Sequence, residues 1–162
     1  RQPPRDSSVD PALAAALAIL LQPFVETIAE QLRKKDGGAS ASADAVRQAY
    51  VAAYSSPTVE ALIGRLHQYL PDVQGELVRQ AYALGVIAHS GQFRQSGEPY
   101  IDHPVAVATI LLELRLDAES VAAALLHDVV EDTGVSLEVI KQFFGDSVAH
   151  LVDGVTKLSG LE

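Results

Sequence analysis

Apolar residues recur at intervals of three and four positions along most of this chain, which is the spacing of one face of an α-helix. The first such segment follows Asp10-Pro11, an N-cap residue with a proline at the first helical position, and runs to the cationic pair Lys34-Lys35. We therefore predict a single helix from Pro11 to about Lys35. Its apolar stripe comprises Leu13, Leu17, Leu20, Leu21, Phe24, Val25, Ile28 and Leu32.

The same spacing predicts a series of further helices separated by turn-forming residues. They cover residues 45–54, 58–70, 72–88, 104–114, 118–130, 137–144 and 147–158, with breaks at Asp117, Gly134 and Gly145. The stretch from His89 to Asp102 contains glycines and a proline, so we predict it to be irregular. No segment alternates with a period of two for long enough to predict a strand. The expected fold class is therefore all-α.

The small, polar segment from residue 37 to 43 separates the first helix from the rest of the chain. Its composition predicts a Gly/Ser/Ala linker. The 162 residues suffice for one buried core, and 48% apolar with 20% charged residues is typical of soluble globular proteins.

The charge balance excludes some partners. A formal net charge of -9 without a sustained run of Lys or Arg argues against nucleic acid or an anionic membrane as the main partner of this segment. The longest apolar stretch, Ala12 to Leu21, is too short to span a bilayer. Because the chain has no cysteine, any metal site must use histidine and carboxylate ligands.

A long apolar run that begins at Val121 leads into four ionisable residues. At helical spacing they form two neighbouring pairs that can line one pocket, His127 with Glu131 and Asp128 with Asp132. Burying such groups without partners costs several kcal/mol each, and the helix dipole disfavours carboxylates at a C-terminus. A solvated His-Asp pair at a helix end is the alternative. The apolar lead-in favours a divalent cation.

Two further segments carry candidate functional residues. His103 precedes Pro104 where a helix begins, which suits a preset metal ligand, although a histidine that only caps a helix is the alternative. Arg94 lies in the irregular stretch with Ser96, and an arginine there can grip phosphate oxygens or stack on a base, whereas serine offers one hydrogen bond. A solvated surface arginine is the other interpretation.

Together these segments resemble the hydrolase domain of RelA/SpoT homologues, a member of the HD superfamily of all-helical, metal-dependent phosphohydrolases. The resemblance covers about residues 59 to 162. It implies an N-terminal helical extension, residues 1–57, which contains the linker, and the first part of a hydrolase domain, residues 58–162. It is carried by Ala81-Tyr82, His89, Gly91-Gln92, Arg94-Gln95-Ser96-Gly97-Glu98-Pro99-Tyr100, His103-Pro104, His127-Asp128-Val129-Val130-Glu131-Asp132-Thr133 and Val152-Asp153-Gly154-Val155-Thr156-Lys157-Leu158.

The resemblance implies a role for each candidate residue. It makes His103, His127 and Asp128 ligands of Mn²⁺, Glu131 and Asp132 the residues that orient and activate water, and Arg94 and Ser96 contacts to the nucleotide. The implied reaction removes the 3′-pyrophosphate of (p)ppGpp to give GDP or GTP and pyrophosphate. It also implies a cytoplasmic protein with a synthetase domain further along the chain.

The chain departs from the family pattern in two ways. Gln95 stands where many members have lysine, which removes one cationic contact to substrate phosphates. The remaining Asp ligand of the family lies beyond Leu158, and the chain, which starts at Arg1 without a methionine, is interpreted as cut at both ends. Two alternatives stay open: a non-catalytic helical binding module, or an HD phosphohydrolase for another nucleotide.

Overall fold

The computed structural model describes residues 10–35, 42–73, 75–90 and 95–159, and these residues form helices joined by turns. No strand occurs among them, so the all-α prediction is confirmed. The helices are α1 (Pro11–Leu20), α2 (Gln22–Lys35), α3 (Ala43–Tyr54), α4 (Pro57–His67), α5 (Glu76–Ala88), α6 (Asp102–Glu113), α7 (Ala118–Asp132), α8 (Leu137–Phe144) and α9 (Asp146–Ser159).

The prediction of one continuous helix from Pro11 to Lys35 is wrong, because the chain bends by 68° between α1 and α2. The break lies at Leu21, just before Pro23. A proline has no N–H to bond the carbonyl four residues earlier, and its ring crowds that carbonyl. The helix resumes at once, since the Val25 amide donates to the Leu21 carbonyl at 2.8 Å.

The start predicted for the helix over residues 72–88 is also wrong. Residues 72 and 73 form a turn, in which the His67 Nε2 bonds the Val73 carbonyl at 2.8 Å, and α5 begins only at Glu76. By contrast, α8 has the predicted bounds, and Asp117 and Gly145 flank helices as predicted. Of the predicted linker, residues 37–41 lie outside the described part of the chain, and Ser42 caps α3.

The helix α7 lies at the centre of the fold and packs against α5, α6 and α9. The N-terminal helices join the same core. Phe24 of α2 packs edge-to-face against Tyr50 of α3 and Phe143 of α8, at centroid distances of 5.3 and 4.8 Å. The division at residue 57 stays a prediction, and the described helices on both sides of it share one hydrophobic cluster.

No single described helix is long and apolar enough to cross a membrane. The bent pair of α1 and α2 passes a test of length and composition only when the two helices are taken together.

Candidate metal centre

The helix α7 carries two of the candidate ligands from a dry interior to a polar pocket. Asp117 caps its N-terminus by accepting a hydrogen bond from the Ser120 amide at 2.8 Å. Every residue from 121 to 126 is buried, so this part of α7 is enclosed by the rest of the fold on all sides. His127 and Asp128 follow directly, with side chains that are 15% and 12% exposed.

The helix α6 brings the third candidate ligand from the opposite side. His103 is the second residue of α6, and its amide donates to the Tyr100 carbonyl at 3.2 Å. Pro104 is buried directly after it, so its fixed backbone anchors the start of the helix. The His103 side chain is 35% exposed, which leaves the pocket open to solvent on this side.

The side chains of His103, His127 and Asp128 converge. One ligand atom from each lies within 4.8 Å of the other two, the arrangement needed to hold a metal ion. The Asp128 Oδ2 is 3.1 Å from the His127 Nε2 and 4.0 Å from the His103 Nε2. The predicted ligand set therefore forms one cluster, although its members come from two helices.

The backbone selects which nitrogen of His127 can bind a cation. Its Nδ1 lies 2.6 Å from the Ala124 carbonyl, so this nitrogen carries a proton and donates, and Nε2 points towards Asp128. A histidine that donates one ring N–H to a carbonyl has its orientation and tautomer fixed for metal binding through the other nitrogen. The donor set of two imidazoles and a carboxylate fits a divalent transition metal.

The two α7 residues support each other's charged form. A hydrogen bond to the Asp128 carboxylate raises the pKa of His127 above its ordinary value, although burial acts in the opposite direction. Burial would raise the pKa of Asp128, but hydrogen bonds from His127 and Tyr100 and the charge of His127 lower it overall. These shifts favour an ionised Asp128 carboxylate, which is the form that binds a cation.

Tyr100, whose role at the site the sequence does not predict, connects the ligand cluster to Asp132. Its hydroxyl donates to the Asp132 Oδ2 at 2.9 Å and lies 3.2 Å from the Asp128 Oδ2, so it bridges the two carboxylates. Its ring stacks on His89 at a centroid distance of 4.5 Å. Burial, and then the hydrogen bond to Asp132, raise the pKa of Tyr100, so the hydroxyl stays protonated and donates.

The remaining predicted site residues occupy different surroundings. Asp132 is half-buried and joins the ligand cluster through Tyr100, whereas Glu131 is exposed at the C-terminal turn of α7. Ser96 is exposed in the turn that precedes Tyr100. Arg94 lies outside the described residues, so its predicted contact to the nucleotide stays a prediction.

The fold and this cluster are those of an HD domain, and the family model described as "HD domain" matches residues 81–162. The chain belongs to this family. The matched segment contains His103, His127 and Asp128 and the helices that carry them.

Three curated relatives show more specifically which HD-domain proteins this chain is similar to. The chain is 54% identical over 103 residues to the bifunctional (p)ppGpp synthase/hydrolase SpoT of Escherichia coli, over 64% of this chain and 15% of the relative. It is 58% identical over 95 residues to a guanosine-3′,5′-bis(diphosphate) 3′-pyrophosphohydrolase of Vibrio cholerae, over 59% and 14% respectively. A GTP pyrophosphokinase of Myxococcus xanthus is 52% identical over 92 residues, 57% of this chain and 12% of the relative.

These matches confirm the resemblance to RelA/SpoT homologues. The chain spans about 15% of the length of the first of these relatives. The similarity therefore concerns one segment of these relatives and not their whole length.

Proposed function

We propose that this chain forms the front of a hydrolase domain that removes the 3′-pyrophosphate of (p)ppGpp, within a longer cytoplasmic protein that also carries a synthetase domain. The observation that carries the proposal is the three-ligand cluster of His103, His127 and Asp128. Relatives at 54% and 58% identity are named for synthesis or hydrolysis of this nucleotide, which supports the choice of substrate.

His103, His127 and Asp128 hold the metal in this proposal, and Mn²⁺ is the metal we assign. When bound, a divalent cation of this kind lowers the pKa of water and offsets the negative charge that develops on phosphoryl oxygens. The protein contributes the fixed orientation of His127 through the Ala124 carbonyl and the ionised state of Asp128 through its hydrogen bonds.

Asp132 and Glu131 orient the attacking water and accept its proton. The water oxygen bonds to the phosphorus attached to the ribose 3′ oxygen, the bond between that oxygen and the phosphorus breaks, and a proton ends on the 3′ hydroxyl. A carboxylate that takes a proton in this way typically contributes a factor of about 10² to 10⁴. The hydrogen bond from Tyr100 fixes the Asp132 carboxylate beside the ligand cluster.

Arg94 and Ser96 contact the nucleotide in this proposal. The exposed turn at Ser96 leads directly to Tyr100 and then to His103 at the start of α6, so a nucleotide bound by the turn lies near the ligand cluster. Gln95 supplies a neutral amide where many family members have a cation, so we expect weaker phosphate binding than in those members.

The test is release of pyrophosphate from ppGpp by the longest natural protein that contains this chain, here called the complete protein. We expect release that depends on Mn²⁺ and stops when the metal is chelated. Asp128→Asn should lower kcat by at least about 10³, because it keeps the shape of the side chain but removes the charge of a metal ligand. Lys141→Gln, on the exposed side of α8, is the matched control and should leave the rate unchanged.

The outcomes separate this proposal from its alternatives. Absence of pyrophosphate release from ppGpp by the intact, metal-loaded protein contradicts it. Release of phosphate or pyrophosphate from a different nucleotide, with ppGpp untouched, identifies an HD phosphohydrolase of other specificity. If the complete protein does not bind Mn²⁺ at all, the result favours the alternative that the chain is a non-catalytic helical binding module.

A further inference from the structure

The helix α2 carries a polar residue on a face that is otherwise apolar. Phe24 and Ile28 are buried on this face, 5% and 0% exposed, and Gln31 follows at the spacing of the same face. Buried or half-buried amides generally find hydrogen-bond partners. Gln31 finds one at Ser136, which is 105 residues away along the chain.

The Gln31 amide makes a pair of hydrogen bonds to Ser136. Its Oε1 accepts from the Ser136 backbone N–H at 2.8 Å, and its Nε2 donates to the Ser136 Oγ at 3.2 Å. The same Oγ accepts from the Val139 amide and caps α8. Gln31 therefore contacts Ser136, the N-cap residue of α8, at both the backbone amide and the side-chain hydroxyl of Ser136.

A second contact joins α2 to the far end of α8. Phe24 and Phe143 pack edge-to-face with centroids 4.8 Å apart. Gln31 contacts α8 at its start and Phe24 contacts it near its end, so α2 and α8 are fixed relative to each other along the length of α8.

The segment that Gln31 holds leads directly from the C-terminal turn of α7. Only residues 133 to 135 separate that turn from Ser136. Thr133 donates through both its amide and its hydroxyl to the Val129 carbonyl, and the Val135 amide bonds the Thr133 Oγ1 at 3.3 Å. Val135 is 1% exposed. The connection is short, and these three hydrogen bonds tie it to α7, so the position of Ser136 is linked to that of the C-terminal turn of α7.

We infer that Gln31 is a positioning residue for the C-terminal turn of α7, and that the N-terminal helices thereby form part of the hydrolase machinery. Gln31 lies outside the residues that the HD domain family model matches. It acts through Ser136 and the 133–135 connection on Asp132 and Glu131. The catalytic consequence rests on the proposed function, whereas the mechanical one does not.

Three variants of the complete protein isolate the effect. Gln31→Ala removes both hydrogen bonds. Gln31→Glu keeps an acceptor for the Ser136 amide, and its second carboxylate oxygen accepts from the Ser136 hydroxyl. Gln22→Ala is the matched control, because Gln22 lies on the same helix and bonds Glu26 within α2, away from α8.

The first measurement is hydrogen–deuterium exchange of the segment 131–137. Gln31→Ala should exchange at least about tenfold faster there than the wild type, because the Ser136 amide loses its acceptor. Gln31→Glu and Gln22→Ala should match the wild type. Unchanged exchange in Gln31→Ala overturns the inference, whatever the activity of the protein.

The second measurement is the rate of pyrophosphate release at a temperature where circular dichroism shows every variant folded. Gln31→Ala should lower kcat by about tenfold or more with KM within about twofold, and Gln31→Glu should restore it, because small misplacements of catalytic groups are costly. Faster exchange with unchanged kcat overturns the positioning role. A wild type without activity defeats the proposed function, and exchange at 131–137 then decides the inference alone.

Discussion

The hydroxyl of Tyr100 donates to the Asp132 carboxylate and lies within reach of Asp128, one of the candidate metal ligands. Partners of this kind typically change metal affinity by about 10- to 100-fold when they are removed. Tyr100→Phe keeps the ring that stacks on His89 and loses only the hydroxyl. We expect Mn²⁺ to bind this variant at least about tenfold more weakly, as measured by titration calorimetry.

The control for this substitution is Tyr69→Phe. The Tyr69 hydroxyl also donates a hydrogen bond, but to the Leu116 carbonyl after α6 rather than to a ligand of the site. Equal Mn²⁺ affinity in Tyr100→Phe and the wild type would show that the Tyr100 hydroxyl does not contribute to metal binding.

At this scale the sequence singles out the three residues that converge in one cluster, whose role as metal ligands stays a prediction, but it does not predict their hydrogen-bond partner Tyr100. His127 and Asp128 stand out because an apolar run leads into them, and His103 because Pro104 follows it. The hydroxyl of Tyr100 reaches Asp132 only after the irregular stretch has folded back onto α7, which no spacing in the sequence encodes. The only signal for the role of Tyr100 in the sequence is its place at the end of the Arg94 to Tyr100 motif.

The cap of α7 determines how firmly that helix presents its ligands. Hydrogen bonds from Ser120, through its side chain and its backbone amide, lower the pKa of Asp117 below its ordinary value. The stabilisation is therefore complete above the unfolded pKa of about 3.9 and is lost as pH falls through the lower folded value. Asp117→Ala should lower the free energy of unfolding by about 0.5–2 kcal/mol at pH 7.

Chemical denaturation at several pH values tests this prediction. The difference between wild type and Asp117→Ala should shrink only below about pH 4, where the carboxylate of the wild type protonates. Asp117→Asn keeps a capping side chain and should retain most of the stability at pH 7. A difference that stays constant down to pH 2.5 would contradict a contribution from the ionised cap.

A close approach between α5 and α7 depends on Gly85. A Cβ at this position would lie 3.2 Å from the Leu125 carbonyl oxygen of α7 and 3.0 Å from the Ile101 Cδ1. The Ile101 side chain can move aside, whereas the backbone of α7 cannot do so without moving His127. Gly85→Ala should therefore destabilise the protein by about 1–3 kcal/mol relative to Gly64→Ala.

Gly64 is the matched control because it is helical and exposed, and a Cβ there has nothing within 4 Å. Gly64→Ala should raise the free energy of unfolding by about 0.5–1 kcal/mol through helix propensity. Urea denaturation of both variants measures the comparison. Equal stability of the two would show that α5 and α7 have room to separate at Gly85.

Element types follow from the apolar spacing, and element boundaries follow less well. The bounds of α8 are predictable because Ser136 caps it and Gly145, at φ 90°, ends it. The break at Leu21 escapes the apolar pattern because the stripe continues through it, and Pro23 acts on the backbone alone. The late start of α5 reflects the bond between His67 and Val73, a contact specific to the fold.

At the scale of the whole molecule, the helices α2 to α9 contribute to one hydrophobic cluster, in which α7 packs against α5, α6 and α9. The sequence separates α2 from the later helices because the polar segment 37–43 follows it. The helix α2 is attached to α8 by the hydrogen bonds between Gln31 and Ser136 and by the contact between Phe24 and Phe143, and the long separations in the chain hide both contacts from any local pattern. A single cluster also means that metal bound at the site stabilises the whole described fold by mass action.

Side chains from α6 and α7 converge in one candidate metal centre, and titration of this chain with Mn²⁺ by calorimetry measures whether they bind an ion. We expect binding with a stoichiometry of about one ion per chain, because the described part of the chain contains one cluster of three ligands. Binding should be lost in His127→Ala and retained in His150→Ala, a matched control on the exposed surface of α9. Equal binding by His127→Ala and the wild type, or no binding by the wild type, would show that these side chains do not form a metal centre.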